Sequence, residues 1–155
     1  MRAAHAALYA KGYEFRSFEH LGQPVHYVIG GSKNPDKPMC IVLPGMGDNF
    51  ANWTHFLIRY ADRLRIAAID FPGYTGLSRQ STSGNSLTFD EQMNVAKKFI
   101  QTIKGDVSYL IGNSMGGWQA VKIANQFPDK VQQLVLVNPA GYFRTEEEAI
   151  RARDL

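Results

Sequence analysis

The stretch that most limits what this chain can fold into is Val107-Ser-Tyr-Leu-Ile-Gly-Asn-Ser-Met-Gly-Gly-Trp-Gln-Ala-Val121. It reads as a short apolar strand, a Gly-x-Ser-x-Gly turn from Gly112 to Gly116, and a helix continuing to about Phe127. In that layout Ser114 sits on a sharp strand-to-helix turn with its hydroxyl in the open, the arrangement of a nucleophile elbow. Gly112 and Gly116 fall where the two backbones pass closest, an approach glycine tolerates. The amide of Met115 lies in the first helical turn, where N–H groups lack intrahelical partners and the dipole favours negative charge. It is therefore placed to donate to an oxyanion forming beside Ser114. The same five residues also fit a plain surface turn, so the flanking strand and helix carry the reading.

Upstream, Tyr13 to His20 and Pro24 to Ile29 alternate apolar and polar residues around Leu21-Gly22-Gln23, which predicts an antiparallel hairpin at one sheet edge. Gly30 to Pro38 is a turn. Met39-Cys-Ile-Val-Leu43 is a continuous apolar run, the mark of a strand covered on both faces. It opens into Pro44-Gly-Met-Gly-Asp-Asn49, a loop whose glycines expose backbone. Phe50, Trp53, Leu57 and Tyr60 then recur at helical spacing, predicting a helix from Phe50 to Arg63. Arg65 to Asp70 is a second buried strand, leading into Phe71-Pro-Gly-Tyr-Thr-Gly-Leu-Ser78 and a polar loop to Asn85. Thr88-Phe-Asp-Glu91 is a capping box for a helix through about Ile103. Beyond the elbow helix, Pro128-Asp-Lys130 is a break and Val131 to Val137 a further buried strand ending at Asn138-Pro-Ala-Gly141. Thr145-Glu-Glu-Glu148 caps a last helix.

Strands alternating with helices predict an α/β fold with a mostly parallel sheet, right-handed crossovers and helices on both faces. Ligands in such sheets sit beyond the carboxyl ends of the strands. The Pro44–Asn49 loop, the Asp70–Ser78 loop, the elbow and the Asn138–Tyr142 segment all fall on that edge.

Composition narrows the rest. A chain of 155 residues with 45% hydrophobic and 20% charged residues suits one globular domain. No apolar run reaches the roughly 18 residues a membrane span needs. The Ala-rich start, Met1 to Ala10, lacks a long enough apolar centre for a signal peptide; it reads as a frayed helix of a cytoplasmic protein, with secretion as the alternative. The net charge of +3 is scattered, and Arg59, Arg63 and Arg65 read as a solvated helix end rather than a nucleic-acid site. Cys40, the single cysteine, reads as a buried structural thiol. No His/Cys/Asp cluster has metal-ligand spacing, and no cofactor or metal is expected.

Four motifs in register, Leu43-Pro-Gly-Met-Gly, Asp70-Phe-Pro-Gly-Tyr-Thr-Gly-Leu-Ser, Gly112-Asn-Ser-Met-Gly-Gly and Leu134-Val-Leu-Val-Asn-Pro-Ala-Gly, resemble the α/β-hydrolase superfamily, in particular its esterase- and lipase-like members. The resemblance runs from about Tyr13 to Tyr142. It implies Ser114 as nucleophile, the Met46 and Met115 amides as oxyanion donors, and Gly45, Gly47, Asn113 and Trp118 as substrate-binding positions. Trp118 by itself reads as a core residue more readily than as pocket lining. Phe50, Trp53, Tyr142 and Phe143 are candidates for shaping an acyl pocket. Pro44 stands where the family often has His, and the Asp70 loop is one residue longer between its glycines than the usual pattern. Asp70 resembles the family's structural aspartate, not an acid of the catalytic triad.

A serine hydroxyl needs a base oriented by a third group, and in this fold the acid and the histidine follow the serine in the chain. His5, His20, His26 and His55 all precede Ser114, and Asn138 occupies one position where some members carry the acid. Glu146, Glu147 and Glu148 read as a charged first helical turn. Both partners are therefore expected beyond Leu155, making residues 1–155 a single, incomplete core domain with residues 142–155 beginning a cap or following helix. The implied function is a serine hydrolase acting on a small ester or related acyl substrate, with these 155 residues inactive by themselves. The alternatives are a lyase, haloperoxidase or C–C hydrolase of the same fold, or a non-catalytic binding protein. An unpaired Val131–Val137 edge would also invite self-association.

Overall fold

The computed structural model describes residues 2–73, 77–78 and 87–141. The expectations for Tyr74 to Gly76, the polar loop to Asn85, Tyr142, Phe143 and the helix opened by Thr145 lie outside those residues.

Six strands form one sheet in the order β1-β2-β4-β3-β5-β6: β1 is Glu14–His20, β2 Gln23–Gly31, β3 Met39–Leu43, β4 Arg65–Ile69, β5 Val107–Asn113 and β6 Val131–Val137. The β3–β4, β3–β5 and β5–β6 pairs are parallel, while β1–β2 and β2–β4 are antiparallel. The expected hairpin is present at one edge, with His20 opposite Gln23. Its two-residue turn has Leu21 at φ +50° and Gly22 at φ +73°, the double positive φ that matches strand twist in a tight hairpin.

The apolar run of β3 is buried at every position. Its alternation divides the core into two layers, because successive strand side chains point to opposite faces. Met39, Ile41 and Leu43 join Tyr27, Phe99, Leu110 and Ile123 under helices α3 (Phe89–Thr102) and α4 (Met115–Gln126). Cys40 and Val42 join Leu8, Phe50, Leu57 and Ile66 under α1 (Arg2–Ala10) and α2 (Thr54–Tyr60). Each fully buried Leu, Ile, Val or Phe contributes about 1.5–3 kcal/mol, so both layers are needed to hold the sheet. Burial pushes the Cys40 thiol up to about 12, in keeping with a structural rather than reactive cysteine.

Three expectations are corrected. The N-terminal segment is a packed helix rather than a frayed one: Leu8 is fully buried, and Tyr13 N–H donates to Leu8 O at 3.1 Å. The helix expected from Phe50 to Arg63 is instead a 3-10 turn, Phe50–Trp53, followed by the short α2. The cause is local. Asn49 Oδ1 accepts from Ala51 N–H at 2.9 Å and Thr54 Oγ1 donates to Ala51 O at 2.6 Å, and such side-chain bonds compete with the α-helical ladder. Third, β6 is buried only at Val131. Leu134, Val135, Leu136 and Val137 are 37–43% exposed along the sheet's outer edge, because apolar composition reports what a strand prefers to bury, not what covers it.

The capping box of α3 is fully formed: Thr88 Oγ1 accepts from Glu91 N–H at 3.3 Å, and the Glu91 carboxylate accepts from Thr88 N–H at 2.7 Å. Those Thr88 bonds hold the Glu91 carboxyl below its usual range. Among the described residues no helix is long and apolar enough to cross a membrane.

Candidate active site

Ser114 stands between β5 and α4 with φ +49° and ψ −118°. A non-glycine residue at positive φ costs on the order of 1–3 kcal/mol and persists only where its surroundings enforce it. Here four backbone bonds do so. Ser114 N–H donates to Val137 O at 3.0 Å, and Ser114 O accepts from Gly117 N–H at 2.9 Å, Trp118 N–H at 3.2 Å and Ala140 N–H at 2.8 Å. The strained turn is thus clamped to the end of β6 on one side and to the residues after it on the other.

The glycines are steric necessities. A Cβ on Gly112 would lie 2.3 Å from Gly116 O, and one on Gly116 would lie 2.1 Å from Leu43 O and 2.5 Å from Pro44 O. A Cβ on Gly117 would lie 2.7 Å from Pro139 Cβ. The start of α4 therefore rests directly on the end of β3, and the glycine loop after β3 is brought against the elbow. Gly45 is so close that its Cβ would sit 2.9 Å from Asn113 Oδ1 and 3.3 Å from Ser114 Cβ. The Gly45–Asp48 turn is closed by Asp48 N–H donating to Gly45 O at 3.1 Å, with Gly47 at φ +74° in its third position, the type II pattern.

A cavity of about 400 Å³ opens over this junction, lined by Met46, Phe89, Asp90, Ser114, Met115 and Trp118 with Ala140 and Gly141. Of the positions singled out from sequence, Ser114, Met46, Met115 and Trp118 all meet here. Trp118 both lines the cavity and packs against the core layer under α3 and α4, with its ring 6.5 Å from that of Phe89 and Lys122 Nζ 5.0 Å from its centroid. Gly45 and Gly47 shape the adjoining turn. Asn113 directs Nδ2 to Val137 O at 3.1 Å, so its amide is engaged in holding the elbow. Phe50 is fully buried in the opposite layer.

Phe89 and Asp90 were not foreseen as lining residues. Phe89 is 59% exposed at the first position of α3, and a large aromatic there serves no capping purpose, which is the one sequence signal that marks it. Met46 is likewise 53% exposed.

None of the chain's four histidines lines the cavity. His5 packs on Phe15 and Phe50 with ring centroids 4.6 and 5.5 Å away, and burial, with the nearby N-terminal charge, lowers its pKa. His20 is lowered by burial and by Lys98, against Glu91. The main chain of His26 is tied into the frame: its amide N–H donates to Ser78 Oγ at 2.7 Å, and its carbonyl accepts from Asp70 N–H at 2.9 Å. Asp70, fully buried, accepts from the amides of Leu77 and Ser78, the latter at 3.1 Å. Burial raises its pKa against the opposing effect of those amides and of His26. Its bonds are those of a structural brace for the loop after β4. Among the described residues no group of three His, Cys, Asp or Glu side chains could hold a metal.

A mostly parallel sheet with helices on both faces, carrying a strained serine at a glycine-flanked strand-to-helix turn, defines a class: residues 38–154 match the alpha/beta hydrolase fold, and the chain belongs to that family. Among its relatives, monoacylglycerol lipase ABHD6 of Bos taurus is 31% identical over 132 residues, 84% of this chain and 38% of the relative. Epoxide hydrolase 1 of Caenorhabditis elegans is 28% identical over 128 residues, 83% of this chain and 31% of the relative. The crystal structure of a bacterial membrane phospholipase A superposes with a TM-score of 0.76 at 25% identity, covering 97% of this chain and 49% of that one. The chain spans about a third of the length of the curated relatives it matches.

Proposed function

We propose that the chain carries the nucleophile and oxyanion hole of a serine hydrolase that acts on an ester or related acyl compound. The observation that carries this reading is the strained backbone of Ser114, pressed between the first turn of α4 and the Gly45–Asp48 turn at the mouth of an open cavity. Ser114 Oγ attacks the substrate carbonyl carbon, and the π electrons move onto the carbonyl oxygen. The Met115 amide at the helix start and the Met46 amide in the turn donate to that oxygen, stabilising charge that exists only in the tetrahedral state. Collapse expels the alcohol or thiol with a proton and leaves an acyl ester on Ser114, which water then cleaves.

The same chemistry separates two readings suggested by relatives named for lipase and for epoxide hydrolysis. A serine that opened an epoxide would be left as an ether, which water does not cleave, whereas an acyl ester on serine turns over. The serine at position 114 therefore favours acyl substrates. Activation of Ser114 needs a base, and none of the four histidines lines the cavity. The 155 residues alone are expected to turn over slowly, at the about 10³–10⁴-fold over water that an oxyanion hole and binding supply.

The test is covalent labelling with excess alkyl fluorophosphonate, followed over hours by intact mass. Wild-type chain gains one phosphonyl group and Ser114→Ala gains none. Equal labelling of the two removes Ser114 from the chemistry.

A further inference from the structure

We infer that Asp48 is a positioning residue for the oxyanion turn, clamping it to the core so that the Met46 amide is held beside Ser114. The inference rests on the serine-hydrolase reading above and extends it to a residue that touches no substrate.

The Asp48 carboxylate gathers three donors. Oδ1 accepts from Asn49 N–H at 2.8 Å and from Asn52 Nδ2, and Oδ2 accepts from Trp53 Nε1 at 3.1 Å. Its own N–H closes the Gly45–Asp48 turn. One residue therefore joins the turn that carries Met46 to the 3-10 turn that follows it. That second element is fixed: Phe50 is fully buried, its ring centroid 5.8 Å from that of Phe15 and 5.5 Å from that of His5, and Trp53 packs edge-on against Phe56 at 5.8 Å.

The turn needs such a clamp on its outer side. Its inner side is set by contact, with Gly45 against Asn113 and Ser114, but a Cβ on Gly47 would meet nothing within 4 Å, and both Met46 and Gly47 are exposed. A glycine-rich turn exposed to solvent has many backbone conformations open to it. Bonds to a carboxylate are stronger than neutral ones, and three of them on one side chain restrict the turn to one conformation. Pro44, whose ring carries no hydrogen-bonding group, offers no such tie from the other end of the loop.

The experiment uses the whole 155-residue chain and the isosteric variant Asp48→Asn, with the fluorophosphonate labelling of Ser114 resolved into an apparent affinity and a maximal rate. In Asp48→Asn one acceptor becomes an NH2 group, which faces the Trp53 indole N–H, donor against donor. We expect the maximal rate to fall by about 10- to 100-fold, the penalty of a misplaced donor, with affinity and thermal midpoint nearly unchanged. Trp53→Phe, which takes away one donor and keeps the carboxylate, should lower the rate in the same sense but less. A purely structural role predicts parallel losses in midpoint and affinity. Asp48→Asn labelling at the wild-type rate, or a rate loss matched by equal losses of midpoint and affinity, overturns the role of Asp48 and leaves Ser114 as the nucleophile. Wild type and Ser114→Ala labelling alike overturns the hydrolase reading, and the inference with it.

Discussion

Replacing Gly116 by alanine tests the closeness of α4 to β3, on which the geometry around Ser114 depends. Gly116 is the second residue of α4, and at an ordinary helical site Gly→Ala stabilises by about 0.5–1 kcal/mol. Here the added methyl would lie 2.1 Å from Leu43 O and 2.5 Å from Pro44 O. Ordinary contact begins at about 3.4 Å, so the helix and the end of β3 must separate by about 1.3 Å. Leu43 and Pro44 are both buried, and the separation would loosen packing that includes Leu43 and Met115. Overpacking of this kind costs about 1–3 kcal/mol, and more when the obstacle is backbone. The obstacle here is backbone, which puts the cost at or above about 3 kcal/mol, so net of the helical gain we expect Gly116→Ala to lose about 2 kcal/mol or more. Urea titration by far-ultraviolet circular dichroism would show a lower midpoint with an unchanged slope. Gly105→Ala is the comparison: Gly105 has φ +81° but no neighbour within 4 Å of a Cβ, so its loss should be about 1 kcal/mol, from backbone strain alone. A midpoint for Gly116→Ala equal to or above wild type would refute the proposed contact between helix and strand.

Asp70 carries a pH signature. Its folded pKa is raised, so the folded state binds the proton more tightly, and stability falls as pH rises from near 3.8, its ordinary value, through the folded value. Asp70→Asn retains an oxygen for the Leu77 and Ser78 amides, and it should flatten that fall in unfolding free energy measured at several acidic pH values. Cys40, fully buried with its thiol pushed up to about 12, should not react with a disulfide reagent in native buffer and should react once per chain in urea. The β6 edge has neither charge nor proline from Val131 to Val137, two of the usual guards against strand pairing. Sedimentation of the 155-residue chain should show mass rising with concentration, and Val135→Lys should abolish the rise; a wild type monomeric throughout would count against edge pairing.

The parts of the fold written in local chemistry were legible beforehand. The five apolar residues of β3 are buried on both faces, Thr88 and Glu91 form both bonds of their capping box, and the alternation around Leu21-Gly22 gives the hairpin. The meeting of Ser114, Met46, Met115 and Trp118 was legible because the loops lie at the same ends of parallel strands. What depends on long-range placement was not. Phe89 reaches the cavity only because α3 packs beside α4. Asn113 turns to Val137 only because β6 pairs next to β5. The break of the expected Phe50–Arg63 helix came from side-chain bonds of Asn49 and Thr54, which compete with the periodicity of Trp53, Leu57 and Tyr60.

The carbonyl of Val137 takes N–H groups from two successive residues, the Asn113 side chain and the Ser114 main chain. A displacement of the Ser114 main chain changes the length of its bond to that carbonyl, though Val137 itself lies outside the cavity lining. An isotope placed on that carbonyl would therefore act as a built-in strain gauge, its vibration or chemical shift registering occupancy of the hydroxyl without a reporter touching the ligand.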